Sequence, residues 1–150
     1  MDKYFVIFSH IDNRAVVTFD KKVIFDKTIS DDPLLNEQAG AIEIKPLPSS
    51  YTEYPLSLII EGYNGAYGEA YRGGGHTRDA SQFRLVYKII KRVFSISGEV
   101  INENIIFNVN VQLTDAEANK KIHTKVYKIL MDSVSQNISI IVDNKIEVIE

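Results

Sequence analysis

The chain reads as an all-β, mainly antiparallel sandwich carrying one C-terminal amphipathic helix. Three observations lead there. Short runs of β-branched and aromatic residues alternate with polar ones at a period of two. Turn residues such as Asp12-Asn13, Asp20-Lys21-Lys22 and Ser97-Gly98 break those runs at short intervals. A helical spacing of apolar residues is picked out only over residues 115–133. With no long helix between consecutive strands in the first 114 residues, parallel βαβ units are not expected.

The first strand is expected from Tyr4 to Ile11 and the second from Ala15 to Phe19, with Ala15, Val17 and Phe19 on one face. Val23 to Ile29 follows, with Val23, Phe25 and Ile29 sharing a face. The short turns between these runs predict a three-strand antiparallel meander. Ser30 to Gly40 holds Asp31-Asp32-Pro33, so it is a crossover loop, with room for a helical turn at 34–38. Ala41 to Ile44 is a short strand that Pro46 and Pro48 confine to an edge. Leu56 to Ile60 is a strand leading into a long loop that ends near Ser81.

Phe83 to Ile90 is the next strand, either continuing through Phe94 or bending at Lys91-Arg92. A hairpin is expected to open at Val100-Ile101 and turn at Asn102 to Asn104. Ile105 to Leu113 has the cleanest alternation, with Ile105, Phe107, Val109, Val111 and Leu113 facing in and Asn108, Asn110 and Gln112 facing out. Thr114-Asp115-Ala116-Glu117 has the form of a capping box. Ala118, Ile122, Val126, Ile129, Leu130 and Val134 then recur at three or four residues, which favours a helix over 115–133. The rival reading turns the chain at Ala116 to Lys120 and makes Ile122 to Leu130 a strand. A hairpin of Ile138 to Val142 and Lys145 to Ile149 closes the chain. The inward set is Phe5, Ile7, Val17, Phe19, Phe25, Leu58, Ile60, Leu85, Tyr87, Phe107, Val109, Val111 and Ile140. In architecture alone the layout resembles immunoglobulin-like and transthyretin-like sandwiches.

Composition bounds the function. Residues 1–150 are the length of one domain, with no linker, repeat or low-complexity tract to divide them. A net charge of −3 gives no basic footprint for nucleic acid or an anionic membrane. The absence of cysteine excludes disulfides, thiolate catalysis and cysteine-ligated metals. Residues 1–20 carry Asp2, Lys3, His10, Asp12, Asn13 and Arg14, so no signal-peptide core is visible. No run reaches the roughly 20 apolar residues of a membrane span, and a cytoplasmic location is the default expectation.

The working surface is expected at Tyr51 to Phe83. This stretch holds five of the eight tyrosines and six of the eight glycines. Tyrosine supplies rigid amphipathic contact area and glycine lets a loop adapt, a vocabulary suited to protein recognition. Tyr51, Tyr54, Tyr63, Tyr67, Tyr71, Arg72, His76 and Arg78 form the candidate binding set. A protein partner is expected, and a small inhibitor or immunity-type protein is one concrete form.

The alternative places a small-ligand or hydrolase cleft at the same loop, acting on a carbohydrate or phosphate ester through Glu61, Glu69, Arg72, His76 and Asp79. Arg72-Gly73-Gly74-Gly75 lacks the terminal Gly-Lys-Ser/Thr of a phosphate loop, and a plain connector explains it more simply. Glu69, His76 and Asp79 match no zinc spacing, and the turn aspartates Asp12, Asp20, Asp26, Asp31 and Asp32 are explained by turn geometry without calcium. No nucleophile elbow or metalloprotease motif is present. A non-enzymatic role without metal or cofactor is therefore favoured.

Overall fold

The structure is a computed structural model and describes residues 2–11, 13–28, 41–45, 53–64, 83–117 and 120–143. Its strands are β1 (Asp2–Ile11), β2 (Arg14–Phe19), β3 (Lys22–Thr28), β4 (Ala41–Ile44), β5 (Leu56–Asn64), β6 (Phe83–Phe94), β7 (Val100–Leu113), β8 (Lys120–Met131) and β9 (Ile138–Val142). They form a four-stranded sheet, β4-β1-β6-β7, and a five-stranded sheet, β3-β2-β5-β8-β9. Every pairing is antiparallel. The sheets face each other across one core, where Phe8 of β1 stacks on Phe25 of β3 and Phe107 of β7 meets Tyr127 of β8. The expected positions 34–38 and 145–149 lie outside the described residues.

The β2–β3 hairpin forms where expected, but Val23 and Phe25 do not share a face. Ile24 is extra between Val17↔Phe25 and Thr18↔Val23, so Phe25 packs on the core while Val23 is exposed. Asp20 and Lys21 both take positive φ, the two-residue turn whose twist matches the flanking strands. The rest of the meander does not form. β1 pairs with β4 and β6, whereas β2 pairs with β3 and β5. The chain crosses between the sheets at the buried Asn13, with Ile11 and Ala15 on either side both in the core. Burial on opposite sheets outweighs the local tendency of a short turn to make neighbours.

In β1 the inward residues are Tyr4, Val6 and Phe8, while Phe5 and Ile7 form a small cluster with Ile90 on the other face of the sheet. Ser9 is the reason. It is an extra residue between the pairs Phe8↔Tyr87 and His10↔Val86, so Ile11 and Phe8 share the core despite an odd spacing. A similar bulge divides β7. Ile106 is extra between Ile89↔Phe107 and Ile90↔Ile105, so Phe107, Val109 and Val111 pack on the core but Ile105 is turned out and exposed.

β6 runs unbroken through Lys91 and Arg92 to Phe94. Its hairpin to β7 turns at 95–99, where Gly98 has φ +95°, and Asn102 to Asn104 lie inside β7.

The helix expected over 115–133 is instead largely the strand β8. β5 pairs along one edge of β8 and β9 along part of the other. Tyr127 and Ile129 enter the core while Val126 is buried on the opposite face. Burial on both faces erases the period of two and leaves apolar spacings that mimic a helix. Thr114 and Asp115 form a bend, and the Glu117 backbone carbonyl accepts a hydrogen bond from Asn64 Nδ2 at 2.9 Å.

Candidate functional site

The tyrosine- and glycine-rich stretch is rooted at one end of the two-sheet body. β5 continues past Ile60 through Glu61, Gly62 and Tyr63 to Asn64, and β6 begins at Phe83, opposite Leu113. Asn64 and Phe83 are both buried, as is Asn13. Gly62 is structural. A Cβ there would lie 2.8 Å from Leu85 Cδ2 and 3.1 Å from Phe83 Cζ, so the glycine lets the two sheets approach. Of the candidate binding set, Tyr51, Tyr67, Tyr71, Arg72, His76 and Arg78 lie outside the described residues, as do Glu69 and Asp79.

Tyr54 and Tyr63 are described, and they differ. Tyr54 packs against the core, and its buried hydroxyl has no hydrogen-bond partner among the described residues. Burial raises its pKa. Tyr63 lies on the outer face of the five-stranded sheet. The Arg14 guanidinium sits over its ring, 4.8 Å from the centroid. Arg14 is fixed by a two-pronged bond to Asp26, Nε to Oδ1 and Nη2 to Oδ2, each 2.9 Å. That bond holds the Asp26 carboxyl below the usual carboxylate range and raises Arg14 further. Beside this group, Lys121 Nζ donates to Glu61 Oε2 at 2.9 Å. Asp26 and Glu61 are thus each engaged by a cation.

Comparison with family models, curated proteins and solved structures finds no match.

A second polar group lies between the sheets. Tyr87 Oη is 3.1 Å from His123 Nε2 and 3.0 Å from Tyr127 Oη. Burial, assisted by the Lys125 ammonium, lowers the His123 pKa to about 4. Burial also pushes both phenols upward. All three groups are thus neutral at pH 7, and the two tyrosines are closed to solvent. The cluster interlocks β6 and β8 by satisfying buried hydroxyls. Sequence reasoning missed it because His123 and Tyr127, which share a face on a helix or a strand alike, meet Tyr87 only across the core, 36 and 40 residues away in sequence.

A groove of about 200 Å³ crosses the outer face of the four-stranded sheet, lined by Ile7, Ser9, Val86, Lys88, Ile105 and Asn108. It is smaller than the roughly 300–1,000 Å³ of small-molecule sites. Among the described residues no group of three His, Asp or Glu could hold a metal ion, and no helix is long and apolar enough to cross a membrane.

Proposed function

We propose that this protein is a non-enzymatic protein-binding module that meets its partner through the stretch 51–83 and the strand ends carrying it. The observation behind this reading is the Asp26–Arg14–Tyr63 arrangement at the foot of that stretch. A tyrosine ring backed by a fixed guanidinium is a preorganised contact, and tyrosine and arginine are the residue types that dominate interface energetics. The neighbouring Glu61, engaged by Lys121, favours recognition over acid–base chemistry. An inhibitor or immunity-type protein that covers a partner's site fits this reading, since such a protein needs shape and anchors but no catalytic set.

The experiment replaces Tyr63, Tyr67 and Tyr71 together by serine. Folding stability should stay within about 1 kcal/mol, the usual range for surface changes. Partner capture from the native host lysate should weaken by several kcal/mol if two of the rings are anchors. Early melting of the variant would make the stretch a structural flap and remove the site. Unchanged capture would place the interface elsewhere.

A further inference from the structure

Sheet edges are protected in natural proteins by shortness, charge, proline or cover. Among the described residues, three of the four sheet edges follow that rule. β4 is four residues long and carries Glu43, β9 is five residues long, and β3 carries Lys22, Asp26 and Lys27. β7 does not. It is fourteen residues long, ends its sheet among the described residues, and contains no lysine, arginine or proline. Its one charge, Glu103, is already bonded to Arg92 of the same chain at 2.8 Å. Leu113 is 38% exposed, and Phe107, Val109 and Val111 are only partly covered.

We propose that the occupant of this edge is a second copy of the chain, paired antiparallel along 107–113 about a two-fold axis at Asn110. The bulge at Ile106 leaves Phe107 to Leu113 as one regular run. Centred on Asn110, that run is complementary to itself on both faces. Val109 meets Val111 of the other copy and Phe107 meets Leu113 on the core side. Asn108 meets Gln112 and Asn110 meets its own counterpart on the outer side. Apolar side chains thus face apolar ones and amides face amides, the pairings that stabilise neighbouring strands. A partner of opposite charge would find nothing on 107–113 to read. Repulsion between copies is small, because the net charge is only −3. The nearest outer-face cations, Lys88 and Arg84, lie one strand back, opposite Asn108 and Gln112. Across the new pairing they are about 14 Å apart, beyond the screening length of roughly 8 Å in physiological salt.

A seven-residue strand pair is small beside the roughly 800 Å² per partner of a stable complex, so association should depend on concentration. Sedimentation of the full chain from roughly 1 µM to 1 mM, the range of weak association, should show monomer passing to dimer. Asn110→Lys and Asn110→Asp each place like charges face to face on the axis, and each alone should remain monomeric. Mixed in equal amounts they should dimerise again, because only a residue facing its own counterpart can be repaired that way. That rescue also shows that the variants fold. A parent that stays monomeric throughout overturns the proposal and leaves the edge to a strand of another protein. Variants that dimerise alone overturn the interface, and a mixture that stays monomeric overturns the register.

Discussion

His123 is the residue whose environment differs most from what its position in the sequence suggests. Its folded pKa lies near 4, against roughly 6.5 in an unfolded chain. The unfolded state therefore binds a proton first as pH falls. Stability from this group is intact above about 6.5 and is lost as pH drops toward 4. Asp26 acts lower, since its stabilisation by Arg14 is lost only below the unfolded carboxylate value of about 3.9. The melting temperature should accordingly fall between pH 6.5 and 4, and His123→Gln should flatten that window while leaving the drop below it. A parent melt that is flat across this window would sink the reading. Gly62 gives a second measurement at this scale. The methyl of Gly62→Ala would press on the buried Leu85 and Phe83. Overpacking of this kind costs about 1–3 kcal/mol, readable as a lower urea midpoint, and Leu85→Val should recover part of it. An unchanged midpoint would mean that the two sheets can separate locally at little cost.

Among the elements, β7 shows how one extra residue changes a whole face. By alternation alone, Ile105 and Phe107 are equivalent. The bulge at Ile106 separates them, sending Ile105 to the outer face while Phe107 packs against Tyr127 with ring centroids 5.0 Å apart. Ile105→Asp should therefore change stability by no more than about 0.5 kcal/mol, as surface substitutions do. Phe107→Asp brings a charge against the core and should cost about 2 kcal/mol or more. Urea denaturation of dilute protein separates the cases, and equal losses would mean that β7 keeps a simple alternation. β1 follows the same logic, with Ser9 the extra residue and Val6 rather than Phe5 in the main core.

At the scale of the molecule, the two sheets share one core, and the root of the tyrosine-rich stretch lies beside β7, the last strand of its sheet among the described residues. Phe83 and Leu113 are paired. Tyr63 was legible as a candidate from composition. Its supporting residues were not, because Arg14 and Asp26 belong to a hairpin far from Tyr63 in sequence and meet it only through the β2–β5 pairing.

The sequence by itself determined the all-β class, the positions of most strands, the β2–β3 hairpin and the short β4 edge. Each depends on local quantities: a period of two, turn chemistry and proline. The tertiary structure decided which sheet each strand joins, which face of β1 and β7 turns inward, and that β8 is a strand. Partner choice between sheets is a long-range pairing with no local signature. Parity depends on single-residue bulges that alternation cannot reveal. In β8 the core covers Tyr127 and Ile129 while Val126 is buried on the opposite face, so burial on both sides removes the pattern by which a strand is recognised.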